Sequence, residues 1–274
     1  MSRTRELRHY MNRMAFDSFE PSRSLDELAG AGFTGVQFAG PANPHERKAC
    51  LDRNLGITGS GRVNTPEEAA ALAEQSSGEG YECVTVHAGW GMEDDREAHR
   101  LIEAILTASS RFRIPLYVET HRATIFQDIW RTVQFVHRFP ELRFNGDFSH
   151  WYAGQEMVYG GFENKLLFIA PVLDRVRFVH GRIASPGCIQ VAIDPAAAPE
   201  PSYVTHFRQL WTASFQGHQN SGEDCPMYFV PELLAPAIYY ARTFHGVEES
   251  DRWQQSLFLK DIAAECFHRL QAPA

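Results

Sequence analysis

FNGDFSHW, residues 144–151, runs an apolar stretch into an aspartate and a histidine. Burying either group is costly unless something binds it. If the stretch is a strand, its C-terminal end faces a site, and Asp147 and His150 belong to that site. The fold then depends on whether other strands along the chain end in the same way.

They do. Short apolar runs alternate with helical patterns along the whole sequence. Strands are expected at 8–14, 35–39, 57–63, 82–88, 115–120, 142–147, 176–180 and 227–232, which makes eight. Helices are expected at 66–75, 95–111, 123–139, 204–216 and 250–270, the first with Thr65 and Glu68 in capping-box positions. Eight strand–helix alternations suit a parallel sheet closed into a (β/α)8 TIM barrel, of class α/β. An open doubly wound sheet is the weaker alternative, because no GxGxxG follows the first strand. A single domain over residues 1–274 is expected. Segments 149–164 and 181–203 are long connections after strands six and seven, so both should border a site. The stretch AIYYARTF, residues 237–244, reads as a core helix, with an interface as the alternative.

In such a barrel the active site lies at the C-terminal ends of the strands. Strand four ends VHAG with His87, and strand five ends VETHR with Glu119, His121 and Arg122. Strand six ends GDFSHW with Asp147, His150 and Trp151. Strand seven ends VHGR with His180 and Arg182, and strand eight ends VPEL with Glu232. Residues two apart on a strand share a face. Tyr117 with Glu119, Asn145 with Asp147, Phe178 with His180, and Tyr228 with Glu232 can therefore point into the mouth together. Taken singly, a strand-end Glu is an ordinary solvated carboxylate and a His an ordinary packed one. Together, Glu119, Asp147, His180 and Glu232 crowd three carboxylates into one volume, which a divalent cation would reconcile. An oxygen-rich set with one imidazole suits Mn²⁺, Mg²⁺ or Co²⁺, and admits Zn²⁺.

Composition narrows the partners. The net charge is −8, with 26 basic and 34 acidic residues, which does not suit a polyanion as main partner. No apolar run approaches the ~20 residues that span a bilayer. The N-terminus lacks the apolar core of a signal peptide. The five cysteines are scattered, with no CxxC. They read as reduced thiols, and the expected location is cytoplasmic.

The ordered series Glu119, Asp147-x-x-His150, His180 and Glu232 resembles the xylose isomerase-like TIM barrel superfamily of sugar isomerases and epimerases, which is related to the endonuclease IV type of AP endonuclease. VETHRATIFQDIWRTV and GDFSHWYAGQEM look like its broad sugar phosphate isomerase/epimerase subgroup. The resemblance covers essentially the whole chain. It implies that Glu119, Asp147, His180 and Glu232 hold one divalent ion and that Glu119 and Glu232 exchange protons with a carbohydrate substrate. It also implies that His150 contacts the substrate. Arg182 stands near the place of a substrate-binding arginine, at a shorter spacing from His180. His87, His121 and Arg122 are further candidates for substrate contact, and Trp151 with Tyr152 could stack on a sugar face.

The expected activity is metal-dependent isomerisation or epimerisation of a sugar, sugar phosphate or polyol-derived substrate by carboxylate proton transfer. A dehydratase using the same groups is the main alternative. Endonuclease-like phosphodiester hydrolysis is disfavoured, because the Asp-x-His pair it needs after strand seven is missing. Asp194 is followed there by Pro195 and Ala196. A non-catalytic ligand-binding barrel would not need the paired glutamates. Neither a nucleic acid nor a membrane is expected as partner, and the oligomeric state stays open.

Overall fold

The structure is a computed structural model that describes residues 6–15 and 20–270. Eight parallel strands close on themselves in sequence order. They are β1 (Leu7–Asn12), β2 (Gly35–Ala39), β3 (Gly56–Val63), β4 (Val84–Ala88), β5 (Leu116–Glu119), β6 (Phe144–Asn145), β7 (Val176–Gly181) and β8 (Met227–Pro231). Closure is made by β8 pairing with β1 from Leu7–Met227 to His9–Phe229. The expected TIM barrel is the observed fold. Around it lie α1 (Pro21–Gly30), α2 (Pro44–Leu51), α3 (Pro66–Gly78), α4 (Asp95–Phe112), α5 (Ile129–Arg138), α6 (Phe148–Gly154), α7 (Phe162–Phe168), α8 (Ala170–Leu173), α9 (Ser202–Ser221) and α10 (Arg252–Arg269). None of the helices among the described residues is long and apolar enough to cross a membrane. The expectation about the first residues of the chain falls partly outside the described residues.

The apolar residues sort into two bodies. One lies between strands and helices. The other fills the barrel interior with Tyr10, Cys83, Tyr117, Phe178, Tyr228 and Val230. Burying a large side chain of this kind stabilises by about 1.5–3 kcal/mol. Tyr10 fits because β2 and β3 are glycine where they face it. A Cβ on Gly56 would stand 1.8 Å from the Tyr10 hydroxyl. At the closed end of the barrel, the Tyr228 hydroxyl donates to Glu82 (2.7 Å), which Arg8 also engages (3.1 Å). Within the barrel, this interior plug leaves space for a ligand only at the C-terminal mouth.

Local chemistry moves several boundaries. Thr65 makes no side-chain cap on α3. Instead Glu68 accepts from the Asn64 N–H at 2.6 Å, one residue before the cap, so the expected box does not form. A complete capping box forms at Asp94 and Glu97 on α4. Helix α5 begins at Ile129 rather than 123, because the Asp128 side chain accepts from Arg131 N and caps it there. The preceding turn stays free to shape the mouth. The core helix expected over 237–244 does not form. Pro236–Ile238 is a single 3-10 turn, Tyr239 takes φ +66°, and a hairpin follows in β9 (Thr243–Phe244) and β10 (Val247–Glu248). A left-handed tyrosine ends a helix. Arg242 and Glu249 then clamp the base of the hairpin (2.9 Å).

Candidate active site at the barrel mouth

Each candidate side chain starts from its strand end. Glu119 is the last residue of β5 and is buried. Asp147 lies two residues past β6 and caps α6, with Oδ1 accepting from the Ser149 hydroxyl and N–H. His180 lies in β7, and Glu232 directly follows β8. The four bring one ligand-capable atom each to within 4.8 Å of one another. His180 Nδ1 is 3.6 Å from Glu119 Oε1 and 3.4 Å from Glu232 Oε2.

Two of these atoms, Glu119 Oε1 and His180 Nδ1, are buried with no hydrogen-bond partner. A buried lone acceptor is costly, and a divalent cation between them removes that cost. The orientation of the imidazole is fixed from below. His180 Nε2 lies 2.9 Å from Gln37 Oε1, an acceptor, so Nε2 carries a hydrogen and Nδ1 faces the cluster, where loss of its proton frees a lone pair for a metal. Gln37 is held in turn by Thr85 (3.3 Å), which also receives Asn145 (3.1 Å). Asn12 donates to Glu232 Oε1 at 3.2 Å. Gln37 and Asn12 escaped the sequence reading. The available signal was a glutamine amid apolar neighbours in GVQFA. Gln37→Leu is expected to lower divalent-metal affinity about 10–100-fold by freeing the imidazole. A metal titration followed by calorimetry checks this, and unchanged affinity would refute the role.

Arg182, wholly buried, reaches into the same cluster. Its Nη2 bonds Asp147 Oδ2 and lies 2.8 Å from Glu232 Oε2, while Nε donates to Ser149 (3.0 Å). Its Nη1 is buried without a partner. His150 lies 3.4 Å from Asp147 through Nε2, and its Nδ1 is also buried and unpartnered. His87 Nε2 is 2.7 Å from Glu119 Oε2. The rings of His87, His121 and His150 stand side by side, with centroids 4.6 and 4.0 Å apart.

The carboxylates are not equivalent. Glu119 titrates well below the usual carboxylate range: burial opposes this, but His87 and His180 outweigh it. Asp147 is likewise lowered, as Arg182 and His150 overcome burial. Glu232 is raised, chiefly by burial and then by Glu119 and Asp147, despite His180 and Arg182. His180 is pushed up to about 9, because Glu232 and Glu119 outweigh the effect of burial. His121 falls to about 3 through burial and the neighbouring His150.

Of the sequence-derived candidates, His87, Glu119, His121, Asp147, His150, His180, Arg182 and Glu232 are brought together. Arg122 stands at the rim, exposed. Trp151 does not join them. Successive helical residues point about 100° apart, so with His150 at the mouth, α6 turns Trp151 into the core. There it is fully buried, and its Nε1 donates to the Phe126 carbonyl (2.9 Å). Tyr152 is buried too, its hydroxyl meeting His206 Nδ1 at 2.8 Å. A sugar-stacking role for these two is therefore withdrawn. The two long connections do border the mouth, through His150 and Arg182. Tyr240, in the segment that forms a turn where a helix is expected, does so as well. Its hydroxyl is 3.4 Å from His121 Nε2 and its ring lies 4.6 Å from the Arg182 guanidinium carbon.

No family model matches the chain, and no curated protein matches its sequence. Solved structures do match. A D-tagatose 3-epimerase-like protein aligns with TM-score 0.62 at 12% identity, covering 97% of this chain and 100% of the other. A xylose isomerase-like TIM barrel protein from Mycobacterium smegmatis, in complex with magnesium, gives 0.59 at 13%, covering 96% and 98%. The probable 3-DHS dehydratase AsbF from Bacillus anthracis gives 0.56 at 14%, covering 97% and 100%. At such identity the likeness is one of architecture, and the chain shares the fold of the xylose isomerase-like TIM barrels.

Proposed function

We propose that the protein is a divalent-metal-dependent isomerase or epimerase of a sugar or sugar derivative. One observation carries this reading: Glu119, Asp147, His180 and Glu232 meet at the mouth, with Glu119 Oε1 and His180 Nδ1 buried and unpartnered. The magnesium complex of one structural neighbour supports it. Those four side chains would hold the ion, which when bound acts as a Lewis acid toward neighbouring carbonyl and hydroxyl oxygens.

The chain supplies the proton transfer. Isomerisation or epimerisation removes a proton from a carbon next to a carbonyl and returns one. Glu119, held ionised, suits the accepting role, and Glu232, raised, suits the donating role. Two carboxyls pushed in opposite directions make a natural base and acid pair. The unpartnered Arg182 Nη1 is a donor available to substrate oxygens, and His150 Nδ1 is a second unpartnered nitrogen beside it. The interior plug and Tyr240 limit water. A dehydratase is the second reading. A protonated Glu232 could also help a β-hydroxyl leave, and AsbF shares the fold.

Metal binding should be coupled to His180. Below about 9 the metal-free imidazole carries an extra proton, so binding at pH 7 should release about one proton, and release should fade as pH rises through about 9. Calorimetry in buffers of different ionisation enthalpy measures this. Release that does not change between pH 7 and 10 would refute it. The function itself is tested by incubating metal-loaded protein with ketoses, aldoses, their phosphates and sugar acids in D₂O. Deuterium entering one carbon of a single substrate is the expected result. Loss of water from the substrate would favour the dehydratase, and no exchange or product from any member would overturn both.

A further inference from the structure

The segment after β8 carries a feature that the metal cluster does not use. Tyr240 holds two guanidiniums near its ring, with its ring centre 4.6 Å from Cζ of Arg182 and 5.4 Å from Cζ of Arg122. The two cations therefore stand within two such radii of each other, one at the floor of the mouth and one at its rim. They differ in their partners. Arg182 holds Asp147 and Glu232, and at other points of the surface Arg13, Arg131 and Arg242 each hold a carboxylate. Arg122 makes no ion pair among the described residues and is exposed. An aromatic face holds a guanidinium weakly and leaves its N–H fork free for a planar or tetrahedral oxyanion. His121 presents its ring beside Tyr240, 3.4 Å from the hydroxyl.

The backbone supports the placement. Tyr239 adopts φ +66° and is 91% exposed, and Tyr240 follows directly, over the site. A non-glycine residue held there costs of order 1 kcal/mol, and such strain gathers where a side chain must be aimed. The Arg242–Glu249 pair clamps the segment, and Glu249 Oε2 also accepts from the Ala192 N–H at 3.1 Å, tying it to the connection after β7. Tyr240 is thus set as a roof, and Arg122 is stationed at its outer edge.

We propose that Arg122, His121 and Tyr240 form a distal subsite for an anionic oxygen group, carboxylate or phosphate, at the substrate end remote from Glu119 and Glu232. This rests on the reading of the mouth as a substrate site and narrows it to an acidic sugar derivative. A substrate with a reacting carbonyl at the carboxylate cluster runs beneath the Tyr240 ring, and its charged end meets Arg122.

The test is binding at low salt of three probes of one chain length to the metal-loaded protein, namely sorbitol, D-gluconate and sorbitol 6-phosphate. At least one anionic probe should bind about tenfold or more tightly than sorbitol. Whichever one does so identifies the carboxylate or the phosphate. In Arg122→Gln that advantage should vanish, and Arg122→Lys should keep part of it, because a point charge replaces the fork. Arg122 is exposed, so neither variant should disturb folding. Anionic probes that bind no better than sorbitol, or not at all, would overturn the proposal. So would an advantage that survives Arg122→Gln, since the anion would then lie elsewhere. An Arg122-dependent preference without deuterium exchange on any substrate would sink the proposed reaction and leave the subsite standing. Exchange without the preference would do the reverse.

Discussion

Glu232→Gln is expected to cut turnover by about 10²–10⁴-fold while leaving the fold intact and the metal bound, if more weakly. The substitution preserves shape and keeps one oxygen donor. Asn12 can still donate to that oxygen from 3.2 Å. What is lost is the only one of the three clustered carboxyls whose pKa is raised, and so the one best suited to carry a proton to the substrate. Glu119 cannot replace it, because His87 and His180 hold it ionised. Turnover, D₂O exchange and metal content measured on one preparation decide the matter. Near wild-type turnover would remove Glu232 from the chemistry. Loss of the metal together with activity would make it a ligand alone.

Arg182→Met is expected to destabilise the metal-free protein by about 3–5 kcal/mol, and a divalent cation is expected to restore much of that loss. Methionine fills a similar volume, so the effect is one of charge. Arg182 Nη2 joins Asp147 and Glu232 at a largely buried point of the mouth, and its removal leaves two carboxylates close together without the guanidinium that bridges them. An added cation would substitute for the missing charge. Denaturant unfolding with chelator and then with Mn²⁺ or Mg²⁺ reads both effects. A metal-free loss below about 1 kcal/mol would show that the cluster is neutralised by protonation. Equal loss with and without metal would place the ion elsewhere.

The barrel and the inner cluster are legible in the chain's residue pattern. Strand runs in a parallel barrel are buried on both faces, so they appear as continuous apolar segments, and each ends where a charged residue can first meet solvent or a ligand. That made Glu119, Asp147, His180 and Glu232 legible from their positions, and side-chain parity put them on one face. Three things were decided only by the tertiary structure. Gln37 lies under His180 across 143 positions of chain, a contact set by barrel closure that no local pattern encodes. Trp151 is a helical residue beside His150, and only packing decides which of two adjacent side chains faces the mouth and which the core. Residues 237–244 carry helix-like apolar periodicity, yet the left-handed Tyr239 and the Arg242–Glu249 clamp turn them into a strap that sets Tyr240 over Arg182. Local propensity amounts to a few tenths of a kcal/mol per residue, too little to resist long-range contacts of that kind.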